Sequence, residues 1–414
     1  MKCRGEHTAI LVVMLLLVSF APAHSGGPVY GARAGGMGSA GSAVSEDGSA
    51  MAFNQAGLTR VRGLQMYVGG VGVLPSTVYG NKDGEAERTD SRIFLNPFLY
   101  VSDDLGLQDV VFGVGFFSPF GIKGRFWDDT GATRYASASE TFYTYLINPT
   151  VAWKVTPWLS LGAGPNVQIV KTVSRKMIDQ SAFLSEDAEE RMNAKGHGYG
   201  YSLGILVSPL SQWSLGLSYR SKVPVGMDGS ARLSGISEPN STAFGGSAFR
   251  TDLNTKIPLP QTGTLGIGWR PSPRLTVAFD FSWEDWSRYR EQEIDYIIEV
   301  PDAGFIDETV EKDWKDARTL SLGFEYTITR EFSARLGYMF ANNQVPEKSL
   351  SPGAPETNQQ SVAAGLGWNA NEDMWLDLFF MASSYRLRRV ENEILSGSYR
   401  NKSLYAGIGL GYRF

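Results

Sequence analysis

The chain has 414 residues, with 38 Lys and Arg against 43 Asp and Glu, and its net charge of −5 offers no basic stripe for nucleic acid. A single cysteine excludes a disulfide framework and a cysteine-built zinc site. Its 47 glycines and 12% aromatics, set against an ordinary glycine share of about 7%, point to an exported all-β protein.

Residues 1–23 have the layout of a secretory signal peptide. Lys2 and Arg4 form a basic start, Ala9 to Phe20 an apolar run, and Ala21-Pro22-Ala23 a small-residue cleavage site. The run is too short to span a bilayer comfortably as a helix. Cys3 and His7 leave with it, Cys3 precedes the run and so is no lipoprotein cysteine, and His24 stands at the cut. That leaves His197 as the only internal histidine, and one alone reads as packing more readily than as a general base.

Next comes "GGMGSAG", in which Gly36, Gly38 and Gly41 match G-x-G-x-x-G. A dinucleotide-binding turn needs a strand just before it and a helix after it. No strand precedes these glycines, so they serve tight turns and close backbone packing. The whole stretch 24–62 lacks strand alternation and is rich in Gly, Ala and Ser, with helical hints in "GSAVSEDGSAMAFNQAGL". It reads as a plug, or hatch, ahead of the first strand.

From residue 63 the alternation of apolar with small or polar residues predicts fourteen strands. They fall near 63–74, 91–101, 109–118, 139–155, 158–172, 197–208, 212–223, 258–270, 274–286, 316–327, 331–341, 359–368, 374–386 and 401–414. Tight turns, as at Thr156-Pro157, alternate with long polar loops near 173–196, 224–257, 287–315, 342–358 and 387–400. Short turns on one side and long loops on the other describe a transmembrane β-barrel over 63–414, with both chain ends on the short-turn side. The final "LYAGIGLGYRF" puts Leu404, Ile408, Leu410, Tyr412 and Phe414 on one face. An edge strand of a soluble sandwich is the competing reading. The last strand with Phe414 is also what barrel-assembly machinery reads in such proteins. A barrel of this size leaks unless its lumen is filled, and 24–62 is the filler.

Three groups of residues are candidates for function. The third strand, "DVVFGVGFF", runs into Ser118-Pro119-Phe120-Gly121, where proline lacks a ladder N–H and glycine permits unusual dihedrals. Either the strand ends there or it kinks. The loops near 173–196 and 224–257 carry Met177, Ile178, Phe183 and Leu184, and Leu233, Ile236, Phe244 and Phe249. Alternation turns Arg220, Asp280, Glu325 and Arg335 into the lumen. Arg220 or Arg335 is a candidate to hold a substrate carboxylate, or else to pair within the wall.

The segments "GARAGGMGSAGSAVSEDGSAMAFNQAGL", "FFSPFG", "YLINPTVAWKVTPWLSLGAGPNVQ", "LPQTGTLGIGW", "KDWKDARTLSLGFEY" and "ARLGYMFANNQVPEKSLSP" occur in order along the exported chain. In these the sequence resembles the FadL/TodX outer-membrane transporters. The resemblance implies a fourteen-stranded barrel with an N-terminal hatch and uptake of long-chain fatty acids or hydrophobic aromatics without an energy source. It implies an outer groove between the two apolar-bearing loops, with Phe183, Leu184, Phe244 and Phe249 as candidates. It also supports the kink reading, with a lateral opening at 118–121 into the bilayer, beneath a polar lipopolysaccharide surface that apolar molecules cross poorly. One departure stands in the hatch, where Asn54-Gln55-Ala56 replaces the family's common Asn-Pro-Ala. Gln55 lacks the ring that fixes φ and restores an N–H. A general porin, lacking such a hatch segment, is the second reading. A barrel enzyme is the third, for which no nucleophile–base pairing presents itself. No cofactor is expected.

Overall fold

A computed structural model describes residues 29–238 and 240–414; the expected signal peptide and residues 24–28 lie outside the described residues. Fourteen antiparallel strands form one closed sheet. They are β1 (Gln65–Gly80), β2 (Phe94–Asp103), β3 (Val110–Phe117, resuming as Ile122–Phe126), β4 (Ser139–Thr156), β5 (Leu159–Ile178), β6 (Ala188–Leu210) and β7 (Trp213–Arg220, continuing as Val223–Ser234). The circle continues with β8 (Ala248–Leu259 and Thr262–Ser272), β9 (Leu275–Glu284, then Glu291–Tyr296) and β10 (Glu308–Glu311 and Ala317–Thr327). It ends with β11 (Phe332–Ala341), β12 (Gln359–Asn369), β13 (Met374–Tyr385) and β14 (Gly397–Arg413). β14 returns to β1 in unbroken register from Gln65↔Arg413 to Gly80↔Ser398, so the sheet closes on itself.

The alternation sorts chemistry inside out. On β14, Leu404, Ile408, Leu410 and Tyr412 are exposed on the outer face, while Gly409 and Gly411 between them are buried. β6 does the same with Tyr199, Tyr201, Leu203 and Ile205 outside and Ser202 inside. An apolar outer surface continued around the barrel is far larger than a water-soluble monomer exposes, and it fits hydrocarbon. Polar and charged residues such as Asp280, Glu325, Arg335 and Asp377 face inward and are buried.

The fourteen expected strands are all present, but those around β5 to β8 are longer than their apolar alternation suggested. β5 continues to Ile178, β6 starts at Ala188, β7 runs on to Ser234 and β8 starts at Ala248. The loops expected near 173–196 and 224–257 therefore shrink to 179–187 and 235–247. The reason is physical. Above the hydrocarbon belt the outward positions turn charged, as at Arg191 and Arg232, while the inward ones, Met192 and Ala231, stay apolar. The period of two persists with its polarity reversed.

Inside the barrel lie residues 29–61. They form a one-turn helix α1 (Ala32–Gly36), a second, α2 (Ala50–Phe53), and a 3-10 helix, Gln55–Arg60. Nearly every residue of this segment is buried. Asn54 accepts a hydrogen bond from the Ala56 backbone N–H at 3.1 Å and so caps the 3-10 helix. Gln55 thus occupies the first helical position, where the φ of a proline is also accommodated.

Candidate functional site

The inner segment is seated by close backbone approach and by buried charge. Asn54 Nδ2 donates to Ser42 O at 3.0 Å and to Ile205 O of β6 at 2.9 Å. A Cβ on Gly204 would stand 2.2 Å from Asn54 Oδ1, so the wall must be bare there. Gln55 Nε2 donates to Met51 O at 2.8 Å, and Ala56 is fully buried. In the glycine string, Gly38 has φ +65 and lies against the Tyr338 backbone of β11, where a side chain on either count is refused. Asp280 of β9 accepts from the N–H groups of Gly41 and Ser42, both at 2.9 Å.

Arg335 sits 2.6 Å from Glu325 and 2.7 Å from Asp377, all three buried in the wall. Arg33 of α1 grips the same Glu325 with two bonds, from Nε at 2.9 Å and from Nη2 at 2.7 Å. Arg33 also lies 3.8 Å from Glu46, which Arg270 of β8 contacts as well. Burial works to raise the Glu46 carboxyl, but Arg33, Arg270 and Arg60 outweigh it and hold it below its ordinary value. Arg335 is therefore committed to the wall. Arg220 differs: it donates to Tyr30 Oη at 3.3 Å and Ala52 O at 3.0 Å, and among the described residues no carboxylate pairs with it. It lines a small cavity of about 50 Å3 above α2, together with Tyr30 and Phe53.

At residues 118–121 the wall is interrupted. β3 pairs with β4 as far as Phe117↔Leu146 and resumes at Ile122↔Tyr143, so four residues stand opposite two. Gly121 adopts φ +76. On its other side β3 leaves β2 after Leu99↔Phe116, while β2 stays paired with β1 up to Phe94↔Val73. The stretch Phe94–Phe98 of β2 thus has no ladder partner toward β3. What spans the gap is a side chain: Asn96 Oδ1 accepts from the Ile122 N–H, and its Nδ2 donates to Ile122 O at 3.4 Å. Ser118 is buried; Phe120 turns inward and meets the Trp286 ring edge-on at 5.7 Å. The Pro119 carbonyl accepts from Tyr30 Oη at 3.4 Å.

Asn96 and Pro97, the other lip of the gap, are not among the residues singled out from sequence. A proline within an expected strand was the available signal, since it is tolerated where no ladder bond is donated.

Above the inner segment the barrel holds an apolar cluster that includes Phe120, Trp286, Tyr289 and Trp314. Trp314 lies 5.1 Å from Trp286 and 5.2 Å from Tyr289. Near the long-loop rim a cavity of about 490 Å3 is lined by both charged and apolar side chains, among them Lys176, Glu190, Met192 and Lys312. Lys176 and Glu190 form a buried pair at 3.0 Å. Burial pushes Lys312, outside the strands, down to about 7, with Glu140 opposing the shift.

The loops 179–187 and 235–247 are joined by Gln180, whose Nε2 donates to Gly235 O at 2.8 Å and whose Oε1 accepts from the Ser237 N–H at 2.8 Å, while their aromatic candidates pack differently. Phe244 and Phe249 pack at 5.1 Å, and both meet Phe305, at 6.1 Å and 5.5 Å. Tyr296 adds a contact to Phe305 at 4.3 Å. Phe183 makes no ring contact with this group, and Leu184 is 98% exposed. The partner of Phe244 and Phe249 comes instead from the loop between β9 and β10. Of the described residues only His197 is a histidine, and it lies on the outer face, edge-on to Tyr199 at 5.5 Å.

A family model described as outer membrane protein transport protein (OMPP1/FadL/TodX) matches residues 16–414. A long-chain fatty acid transport protein of Escherichia coli O6:H1 is 21% identical over 292 residues, 64% of this chain and 64% of that protein. One from Salmonella typhi is 25% identical over 203 residues, 47% of this chain and 45% of its own. The aligned part thus spans about half to two thirds of these relatives. Among solved structures, a Pseudomonas aeruginosa FadL homologue superposes with a TM-score of 0.83 at 16% identity, covering 95% of this chain and 100% of that one. The Pseudomonas putida toluene transporter TodX gives 0.75 at 18% identity, covering 93% and 98%. At these identities the structures establish the fold.

Proposed function

The chain belongs to the OMPP1/FadL/TodX family of outer membrane transport proteins, and from that premise we propose that it carries long-chain fatty acids or aromatic hydrocarbons by passive diffusion. Substrate enters from the long-loop side, passes the aromatic interior, and leaves sideways through the wall at Ser118–Gly121. Residues 29–61 act as the hatch that keeps the axial route to the periplasm closed.

The observation that carries this reading is the gap itself. Irregular backbone at membrane depth persists only where protein or a cavity lies behind it. Here Phe120 leads from the gap straight into the Trp286, Tyr289 and Trp314 cluster. An apolar molecule travelling that path never needs full hydration. The relatives' printed functions, long-chain fatty acid transport and toluene transport, name the two substrate classes. A general porin accords poorly with a lumen filled by hydrogen-bonded chain.

The test is uptake by cells lacking their own transporters of this kind and expressing the chain. Radiolabelled oleate or toluene should enter several-fold faster than in vector controls, while a small sugar should gain nothing. Equal sugar flux, or no gain for either apolar probe, contradicts the proposal.

A further inference from the structure

The long strands β5 to β8 raise a rampart above the hydrocarbon belt, and its outer face carries an unusual row. Cross-strand register places Arg175 opposite Arg191, Arg191 opposite Arg232, and Arg232 opposite Arg250. Four arginines therefore stand side by side on four adjacent strands. Four residues lower along β5, Lys171 is opposite Lys195. Directly opposed side chains lie about 5 Å apart at Cβ, and like charges so placed are destabilising. The fold nonetheless sets them in register.

Compensation from the chain is partial. Arg175 pairs with Asp129 and with Glu189 at 3.2 Å. Arg191, Arg232 and Arg250 are exposed, and among the described residues they enter no ion pair. Asp228 and Asp252 share the face but lie in other rows, opposite Lys195 and Ser230.

Height decides what meets the row. On β6 the outward apolar band ends at Tyr199, and Lys195 and Arg191 follow four and eight residues above it. At about 3.3 Å per residue and a tilt near 40°, they stand roughly 10 Å and 20 Å above the belt. The polar head-group region of a bilayer is only about 5–8 Å deep on each side, so an anion that meets the arginine row has to be carried on a larger, extended head group, as on a phosphorylated glycolipid. Guanidinium forks match phosphate oxygens in pairs, which suits arginine to this position.

We propose that the outer face of the β5–β8 rampart is a binding site for lipopolysaccharide, with Arg191, Arg232 and Arg250 holding its head-group phosphates. The bound anions remove the repulsion that the register creates, so glycolipid and rampart stabilise each other.

The full-length protein in detergent tests this directly, using purified lipopolysaccharide, the same lipid after dephosphorylation, and inorganic phosphate. Wild type should bind the phosphorylated lipid at least tenfold more tightly than the dephosphorylated one. The triple variant Arg191→Ser, Arg232→Ser, Arg250→Ser should lose that preference. Barrel melting, read from heat-modifiable migration, supplies an independent sign. Without lipid the variant should melt above wild type, because repulsion is relieved; with phosphorylated lipid the order should reverse. A variant that keeps the phosphate preference, or an unchanged melting order, overturns the proposal. So does inorganic phosphate at millimolar concentration that raises wild-type melting as much as the lipid does, since the site would then belong to a free anion.

Discussion

Arg335 shows how a lumen cation that looks free in sequence can be fully spoken for. Alternation turned it inward correctly, and Glu325 is its cross-strand partner in the β10–β11 hairpin, but Asp377 lies two strands on, on β13, where no local pattern reveals it. Glu325 and Asp377 lie 2.6 Å and 2.7 Å away. Removing one member of a buried ion cluster leaves the others uncompensated, at a cost of about 3–5 kcal/mol. Arg335→Met should therefore lower the denaturant midpoint of the detergent-extracted barrel and loosen α1, which shares Glu325 through Arg33. Lys312 is a different case. Burial pushes its folded value down to about 7, with Glu140 opposing, far below the ordinary lysine value of about 10.4. It is charged below about 7 and neutral above, so any attraction for a carboxylate is present on the acid side and lost as pH rises. Its contribution to folding runs the other way: the unfolded chain binds more protons between about 7 and about 10.4, so stability from this group rises with pH there. If a fatty-acid carboxylate seats in the rim cavity that Lys312 lines, oleate binding should weaken several-fold from pH 6 to pH 8, whereas toluene binding should stay level. Calorimetric titration of the two ligands across that range checks the contrast, and an equal response of both removes Lys312 from head-group binding.

Elements were legible where one rule governed both faces. Strand existence followed from period two, as in β14, because hydrocarbon outside and packed chain inside impose opposite chemistries on alternate residues. Strand ends were not legible at β5 to β8, where the outer environment changes from lipid to water while the pairing continues. The break in β3 was legible from Pro119 and Gly121, but its other lip at Asn96 and Pro97 was not singled out, since a gap is a relation between two strands. Phe305 escaped notice for the same reason: besides nearby Tyr296, its aromatic partners Phe249 and Phe244 are about 56 and 61 residues away in sequence, and only folding brings them together. The seat of the inner segment depends on bare glycine in the wall. Gly204→Val would drive its Cβ to 2.2 Å from Asn54 Oδ1 and 2.8 Å from Ala56 N. Planar-bilayer conductance should rise in that variant, as the segment is pushed from its seat. Gly226→Val, where an added Cβ meets nothing within 4 Å, should conduct like wild type. Equal conductance in both would mean that the segment does not close the lumen.

The molecule as a whole is a closed cylinder with an apolar outside, a hydrogen-bonded filling and an aromatic interior that Phe120 joins to the interruption of β3. Such a layout moves apolar molecules without moving water, provided the interruption is an exit. The double variant Pro119→Val, Gly121→Thr tests that most directly. Both residues favour continuous pairing, and threonine is strained at the φ of +76 that Gly121 now holds, so the wall is driven to close. Initial uptake of labelled oleate or toluene should be measured at matched outer-membrane abundance, with the closed wall verified by structure. A fall of about tenfold is expected, with binding at the long-loop side unchanged. Transport at the wild-type rate through a demonstrably continuous wall would contradict a lateral exit at this site.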